Sequence, residues 1–270
     1  MATLLLSILI FFLGASVGSF LSVVVYRIEK KKSGIIFGHS FCPSCKKRLR
    51  SRDLVPIVSY LMLRGKCGQC GTKISPLYLF IEIVTGLMFL SLYFRYPFLE
   101  SASLESATLS TPLLISFTFF AIYTSFFAAI FFYDLKTKKI PDVFLFPLIL
   151  FTAVGTLTLG TPSFVSVLLA LAIAAVFFGG QIVVSKGKWL GEGDFYLALA
   201  LAIIFGWELF VTNIVISYFL GAIIGIALLA TKKATKKTAI PFGPFLVLGA
   251  IITIFFGQDL MNLYLSNLTI

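Results

Sequence analysis

Acidic residues are scarce in this 270-residue sequence, with 11 Asp and Glu against 22 Lys and Arg, and there is one histidine. Charged residues make up only 12% of the chain, 59% is hydrophobic, and the mean hydropathy is +1.03. So little charge excludes an ordinary soluble globular domain. The lone histidine, His39, argues against a Ser-His-Asp triad at a membrane face. Nothing reads as a Gly-rich nucleotide turn following a strand. The N-terminus has no Lys or Arg ahead of its apolar run, and that run exceeds a signal-peptide core. No cleaved signal is expected, and the run reads as a mature first helix.

What is present is a series of apolar runs, each to be judged against the roughly 20 residues that cross a hydrocarbon core. Eight stand out, at about 3–26, 77–94, 112–133, 143–160, 163–184, 195–207, 209–230 and 241–257. The sixth reaches only about 20 Å as a helix, so a short or partly buried helix beginning at Asp194 is expected. The fold class is an all-α polytopic membrane protein of about eight transmembrane helices. Three segments are expected: a first helix (1–26), a soluble loop domain (27–76) and a membrane domain (77–270).

The positive charge is clustered. Twelve of the Lys and Arg lie between Arg27 and Lys73, and others at Lys136, Lys138, Lys139, Lys186, Lys188, Lys232, Lys233, Lys236 and Lys237. With eight spans and the N-terminus outside, every cluster faces the cytoplasm and only Arg95 does not, as the positive-inside rule requires. Membrane lipid therefore explains the charge, and no nucleic-acid partner is called for. The segment from Arg95 to Thr111, polar and Ser-rich, is expected to be irregular. Gly14/Gly18 and Gly221/Gly225, each spaced by four, read as sites of close helix packing.

All four cysteines fall in the soluble segment, as Cys42-Pro-Ser-Cys45 and Cys67-Gly-Gln-Cys70, with 21 residues between the pairs. Two such knuckles suit a tetrahedral thiolate site, since each tight turn offers two sulfurs to one metal. Three disulfide pairings are the alternative, but the charge pattern puts this loop in a reducing compartment. A closed, structural zinc-ribbon-like Zn²⁺ site between helices 1 and 2 is expected. About fifty residues could hardly build a core without such a staple.

Two acids stand at the ends of apolar runs on one predicted membrane face: Asp134, in "DLKTKKIPD", and Asp194, in "GEGD". Paired carboxylates can share a proton, one acting as general base on water while the other donates to the scissile carbonyl oxygen or the leaving amine. That is aspartic-protease chemistry. Asp194 also stands where a helix N-cap belongs, so both readings remain open on chemistry alone. Gly191 and Gly193 remove side chains beside the carboxylate and would let a substrate backbone approach. Asp142 ends the same loop as Asp134 and reads as a cap for the fourth helix, close to the substrate. Glu82, about one turn into the second run, is a candidate functional acid at membrane depth.

Together these motifs resemble the type IV prepilin peptidases, bifunctional leader peptidases and N-methyltransferases of pilus, type II secretion and competence systems. The resemblance is carried by "GSFLSVVVYR" (18–27), "SFCPSC" (40–45), "DLVPIVSYLMLRGKCGQC" (53–70), "DLKTKKIPD" (134–142), "GEGD" (191–194) and "PFGPFLVLGA" (241–250). It implies that Asp134 and Asp194 are the catalytic pair of a GxGD-type protease in a bacterial inner membrane. The implied substrates are prepilins or pseudopilins, cut after Gly at the cytoplasmic face. The new N-terminal amine is then methylated from S-adenosylmethionine, with the four-cysteine loop, and in some measure Glu82, tied to that step. The chain departs from the family at Tyr196, where many members carry Lys, at Ser22 for the usual Asn, and at Leu77-Tyr78-Leu79 for the usual Arg-Tyr-Pro. The competing readings are a non-enzymatic zinc-binding assembly factor and a cation transporter.

Overall fold

The computed structural model describes residues 2–31, 38–100, 108–232 and 240–268. Lys32, residues 101–107, Lys233, Lys236 and Lys237 lie outside the described residues. Helix dominates, as a bilayer dictates: without water to satisfy free amides, a spanning chain must close its hydrogen bonds internally. Among the described residues seven helices are long and apolar enough to cross a membrane. They account for all eight expected runs, because the sixth and seventh share one 39-residue helix that breaks at Gly206 (φ 66°, ψ 179°). The chain divides into two compact units, Met1–Ala129 and Ile130–Ile270, with the division falling inside a helix.

In the first unit, α1 (Ala2–Glu29) lies along α3 (Pro76–Arg95). Small residues let the two backbones close. A Cβ at Gly14 would sit 2.7 Å from the Thr85 carbonyl, one at Gly18 would overlap the Thr85 hydroxyl, and one at Gly86 would meet Phe11 at 2.8 Å. Such close approach maximises dispersion where helices gain nothing from hiding apolar surface from lipid. The loop between them carries the short α2 (Val58–Met62). The segment after α3 is less irregular than expected, since β1 (Leu99–Glu100) pairs antiparallel with β2 (Thr108–Leu109). The first part of α4 (Thr111–Thr137) joins α3 through an edge-on contact of Phe117 with Phe89, centroids 6.3 Å apart.

The second unit holds the end of α4, then α5 (Asp142–Leu159), α6 (Phe164–Ala174), α7 (Gly180–Ser185), α8 (Glu192–Ala230) and α9 (Gly243–Leu268). A five-residue π-helical turn joins α6 to α7, so together they form one span. The first segment of α8 is the core of this unit. Leu197, Ala198, Ala200, Leu201 and Ala202 are fully buried among α5, α6 and α9. This is the short, buried sixth helix expected from the sequence. Gly206 sits against Pro162 and Ser166 at the α5–α6 turn, and Ser166 Oγ accepts the Trp207 N–H at 3.1 Å. Gly221 and Gly225 do not behave as the glycines of α1 do. A Cβ at Gly221 would make ordinary contact with Phe245 at 3.5 Å, and one at Gly225 would meet nothing within 4 Å. The spacing suits packing, but these two glycines sit where no backbone comes close.

Candidate functional site

Asp134 stands in the last turn of α4, where Lys138 N–H closes on its carbonyl at 2.7 Å and Lys138 turns left-handed (φ 56°) to end the helix. The residue is 3% exposed. A helix C-terminus favours cations, so this acid gains nothing there as a cap. Asp194 is the third residue of α8, one turn beyond the N-cap position, which Gly191 fills. Its Oδ2 accepts the Gly191 N–H at 3.2 Å, so it steadies the helix start by reaching back, as an acid in a capping box does. Capping and chemistry are therefore compatible in one residue.

The two acids meet at the start of α9. The Gly243 N–H faces the Asp194 carboxylate, and a Cβ on Gly243 would lie 2.5 Å from Asp134 Oδ2. Each carboxylate is near enough for Asp194 to act on Asp134 by charge. Pro244 has no N–H and the Phe245 N–H bonds the Phe242 carbonyl at 2.9 Å, so the helix start offers the single Gly243 N–H and its positive end to the acids. Gly193 faces Ile140, whose Cβ would be 3.0 Å from an added Cβ. The missing side chain there serves the approach of the α4–α5 turn to α8. A Cβ at Gly191 would lie 3.3 Å from Asp194 Oδ2, next to the carboxylate. Asp142 is exposed in the first turn of α5, with Pro141 as the N-cap residue. Tyr196 is partly exposed, its ring 6.3 Å from that of Phe146.

Sequence reasoning missed three residues, Gly243, Tyr218 and Gln181. Gly243 lies within the quoted "PFGP" motif, but its local sequence assigns it no role. Tyr218 stands 4.8 Å from Phe242, ring to ring, feels the Asp194 charge, and donates from its hydroxyl to Gln181 Oε1 at 3.0 Å. On a straight helix Tyr218 would be about 36 Å from Asp194. No local pattern could reveal that the chain turns back at Gly206.

The cysteine loop is built from two copies of one turn. Cys42 N–H bonds the Lys47 carbonyl at 3.0 Å and Lys46 N–H bonds the Cys42 carbonyl at 2.8 Å; Cys67 repeats this with Thr72 and Gly71, both at 2.8 Å. Lys46 and Gly71, at matching positions, both take positive φ, 58° and 71°. Short bridges flank each turn, Phe41 with Arg48 and Lys66 with Lys73, and Gln69 Nε2 joins the two turns by donating to the Arg48 carbonyl at 2.8 Å. The four Sγ atoms lie within 4.8 Å of one another, and Cys42 and Cys70 are 3.9 Å apart. A tetrahedral ion with Zn–S bonds of about 2.3 Å needs sulfurs about 3.8 Å apart, so the donors fit Zn²⁺. The Thr72 hydroxyl and N–H beside Cys70 hold its thiol down at about 6, so the thiolate needed by a metal exists at neutral pH.

Glu82, 9% exposed in α3, accepts the Ile57 N–H on Oε2 at 2.7 Å. Ile57 is the centre of a γ-turn, φ 64° and ψ −53°, closed by Val58 N–H to the Pro56 carbonyl at 2.6 Å. Such a turn is rare and strained, the more so for a β-branched residue. A buried carboxylate holds it in place.

Residues 12–96 match the family described as the bacterial peptidase A24 N-terminal domain, and residues 121–226 match the type IV leader peptidase family. The chain is 30% identical to the prepilin leader peptidase/N-methyltransferase of Legionella pneumophila, covering 93% of this chain and 91% of that protein. Proteins of the same name from Pseudomonas aeruginosa (28%, covering 94% and 91%) and Bacillus subtilis (29%, covering 97% and 98%) are similarly related. No solved structure matches. Both family segments are present in order and the likeness runs nearly end to end, so the chain belongs to the type IV leader peptidase family.

Proposed function

We propose that this protein is a membrane aspartic endopeptidase that cleaves the leader from type IV prepilins or pseudopilins, with Asp134 and Asp194 as its catalytic pair. The observation that carries the reading is the convergence of both carboxylates on the Gly243 backbone, one of them at a helix end that gains nothing from an anion. One carboxylate, ionised, takes a proton from water as the oxygen attacks the scissile carbonyl. The other, protonated, gives its proton to the carbonyl oxygen. Collapse of the tetrahedral intermediate returns a proton to the leaving amine and regenerates the pair. The Gly243 N–H and the positive end of α9 hold negative charge in register. Gly191 and Asp142 border the path of the substrate backbone, which must be unwound to reach both acids.

The distribution of Lys and Arg supports a bacterial inner-membrane protein with its N-terminus outside and the acids at the cytoplasmic face. Cys42, Cys45, Cys67 and Cys70 hold Zn²⁺, which folds the loop when bound. The relatives are also named N-methyltransferases. By that likeness the protein methylates the new N-terminal amine, with S-adenosylmethionine supplying an electrophilic methyl, and Glu82 belongs to this step. The test uses protein reconstituted in lipid nanodiscs with a prepilin. Asp134→Asn and Asp194→Asn should each lower cleavage by about 10²–10⁴-fold, the range of general acid–base catalysis. Wild-type cleavage by either variant overturns the reading in favour of an assembly factor. A cation transporter has less support, since both acids stand at helix ends and not at mid-membrane.

A further inference from the structure

The first unit contains a cavity of about 180 Å³ between α1, α3 and the cysteine loop. Its walls are mostly apolar and aromatic, with Tyr26, Phe41, Tyr60 and Tyr78 among them. Its charged lining residues are Arg27, Asp53 and Glu82. Two of these are turned to the protein itself. Arg27 Nη2 donates to the His39 carbonyl at 3.2 Å, and Asp53 accepts the Arg50 N–H at 3.2 Å beside the Arg52 guanidinium at 3.9 Å. Glu82 is committed to the Ile57 N–H, which occupies one of the roughly four acceptor sites of a carboxylate. A carboxylate buried in the second turn of a membrane helix is costly, and a cation beside its remaining acceptor sites would offset that cost.

A cavity of about 150 Å³ takes one benzene ring, so the 180 Å³ here has room for one apolar side chain with its amine. The cavity is open on one side, which lets the rest of a peptide chain lie outside it. The tyrosine-rich lining and the Glu82 carboxylate both favour a positive group. The geometry points to an acceptor site: the cavity binds the free α-ammonium and first apolar side chain of a newly cleaved chain, with Glu82 holding the ammonium. This rests on the methyl-transfer reading and adds to it a place for the amine. It also gives the strained Ile57 turn a use, because that turn fixes the orientation of Glu82 by engaging one of its oxygens.

The probe is 4-fluorophenylalaninamide, cationic and of one-residue size, followed by ¹⁹F NMR on the full-length zinc-loaded protein in nanodiscs. Wild type should bind it, unlabelled phenylalaninamide should displace it, and N-acetylphenylalaninamide, which lacks the charge, should not. Glu82→Gln keeps an acceptor for Ile57 and should weaken binding at least tenfold, with zinc content and thermal unfolding reporting that the loop is intact. Should that variant fail to fold, Ser22→Leu, which fills the cavity from α1 and leaves Glu82 in place, should abolish binding. Equal binding by Glu82→Gln, or equal displacement by the acetylated compound, overturns the site. Mass spectrometry of processed prepilin separates the two claims. Glu82-dependent binding without any methylation sinks the methyl-transfer reading and leaves the amine site standing. Methylation that persists in Glu82→Gln sinks the site and leaves the reading.

Discussion

Replacing Gly243 with alanine should disable the peptidase while leaving the fold intact. An added Cβ would lie 2.5 Å from Asp134 Oδ2 and 2.9 Å from Ile140 Cδ1, about 0.9 Å short of the 3.4 Å at which ordinary contact begins. The Asp134 carboxylate is held in a buried helix end, so the methyl group must displace the carboxylate or the start of α9. A misplacement of about 1 Å at a catalytic group costs on the order of 10²-fold in rate, or about 2.7 kcal/mol of transition-state stabilisation. Stability should change little, because the backbone entropy that alanine recovers, up to about 1 kcal/mol, is offset by the clash of its Cβ with the Pro244 ring in helical backbone. The neighbouring glycines give a graded control. Gly191→Ala meets Asp194 Oδ2 at 3.3 Å, a shift of a few tenths of an ångström, and should lose less than about tenfold. Gly225→Ala meets nothing within 4 Å and should be silent. Single-turnover cleavage of a prepilin in nanodiscs, with thermal unfolding on the same samples, reads both quantities. A Gly243→Ala enzyme with wild-type rate would refute the claim that Asp134 works where it stands.

Purified without chelator, the protein should carry one zinc per chain by inductively coupled plasma mass spectrometry, and Cys42→Ser or Cys67→Ser should reduce this to near zero and open residues 38–75 to protease. After the metal is stripped, Cys70 should be the first cysteine alkylated by iodoacetamide, since it is exposed and its thiol is held down at about 6. Its rate should climb as pH passes upward through that value, and labelling of Cys45 ahead of it would contradict the assignment. Gly206→Ala places a side chain at φ 66° and against Pro162 at 2.8 Å, so the unfolding midpoint should drop with a loss of about 1–3 kcal/mol.

The parts of this protein that are legible in its sequence are those enforced by short-range rules. Eight apolar runs become helices because a bilayer leaves the backbone no other choice. Two C-x-x-C turns become one sulfur cluster because each turn fixes two sulfurs on its own, leaving a single long-range contact to be guessed. What the sequence hides is decided by partners distant along the chain. Gly14 and Gly221 begin identical four-residue spacings, yet only Gly14 meets another backbone, and that depends on α3. Local sequence points to Asp194 as the helix cap itself, but Gly191 takes that place and the acid reaches back from the first turn. The γ-turn at Ile57 carries no sequence signature, because the carboxylate that engages it lies 25 residues away.

The position of Asp194 follows from the length of the helix it begins. From Glu192 to the break at Gly206 the helix has about 14 residues and reaches about 21 Å, against roughly 30 Å of hydrocarbon. Its far end is tied beside Pro162 and to Ser166. The acid end therefore stops short of the opposite face, drawn inward among Gly243, Phe242 and Tyr218. Lipid does not punish the shortfall, since protein buries most of the segment from Leu197 to Phe205. A full-length helix would have carried this carboxylate out into bulk water, where a neighbouring acid would be screened from it. Recessed, it stays close enough to Asp134 to act on it by charge, which the proposed sharing of one water requires. On that proposal the same recess obliges a substrate helix to unwind before its scissile bond can reach the two acids.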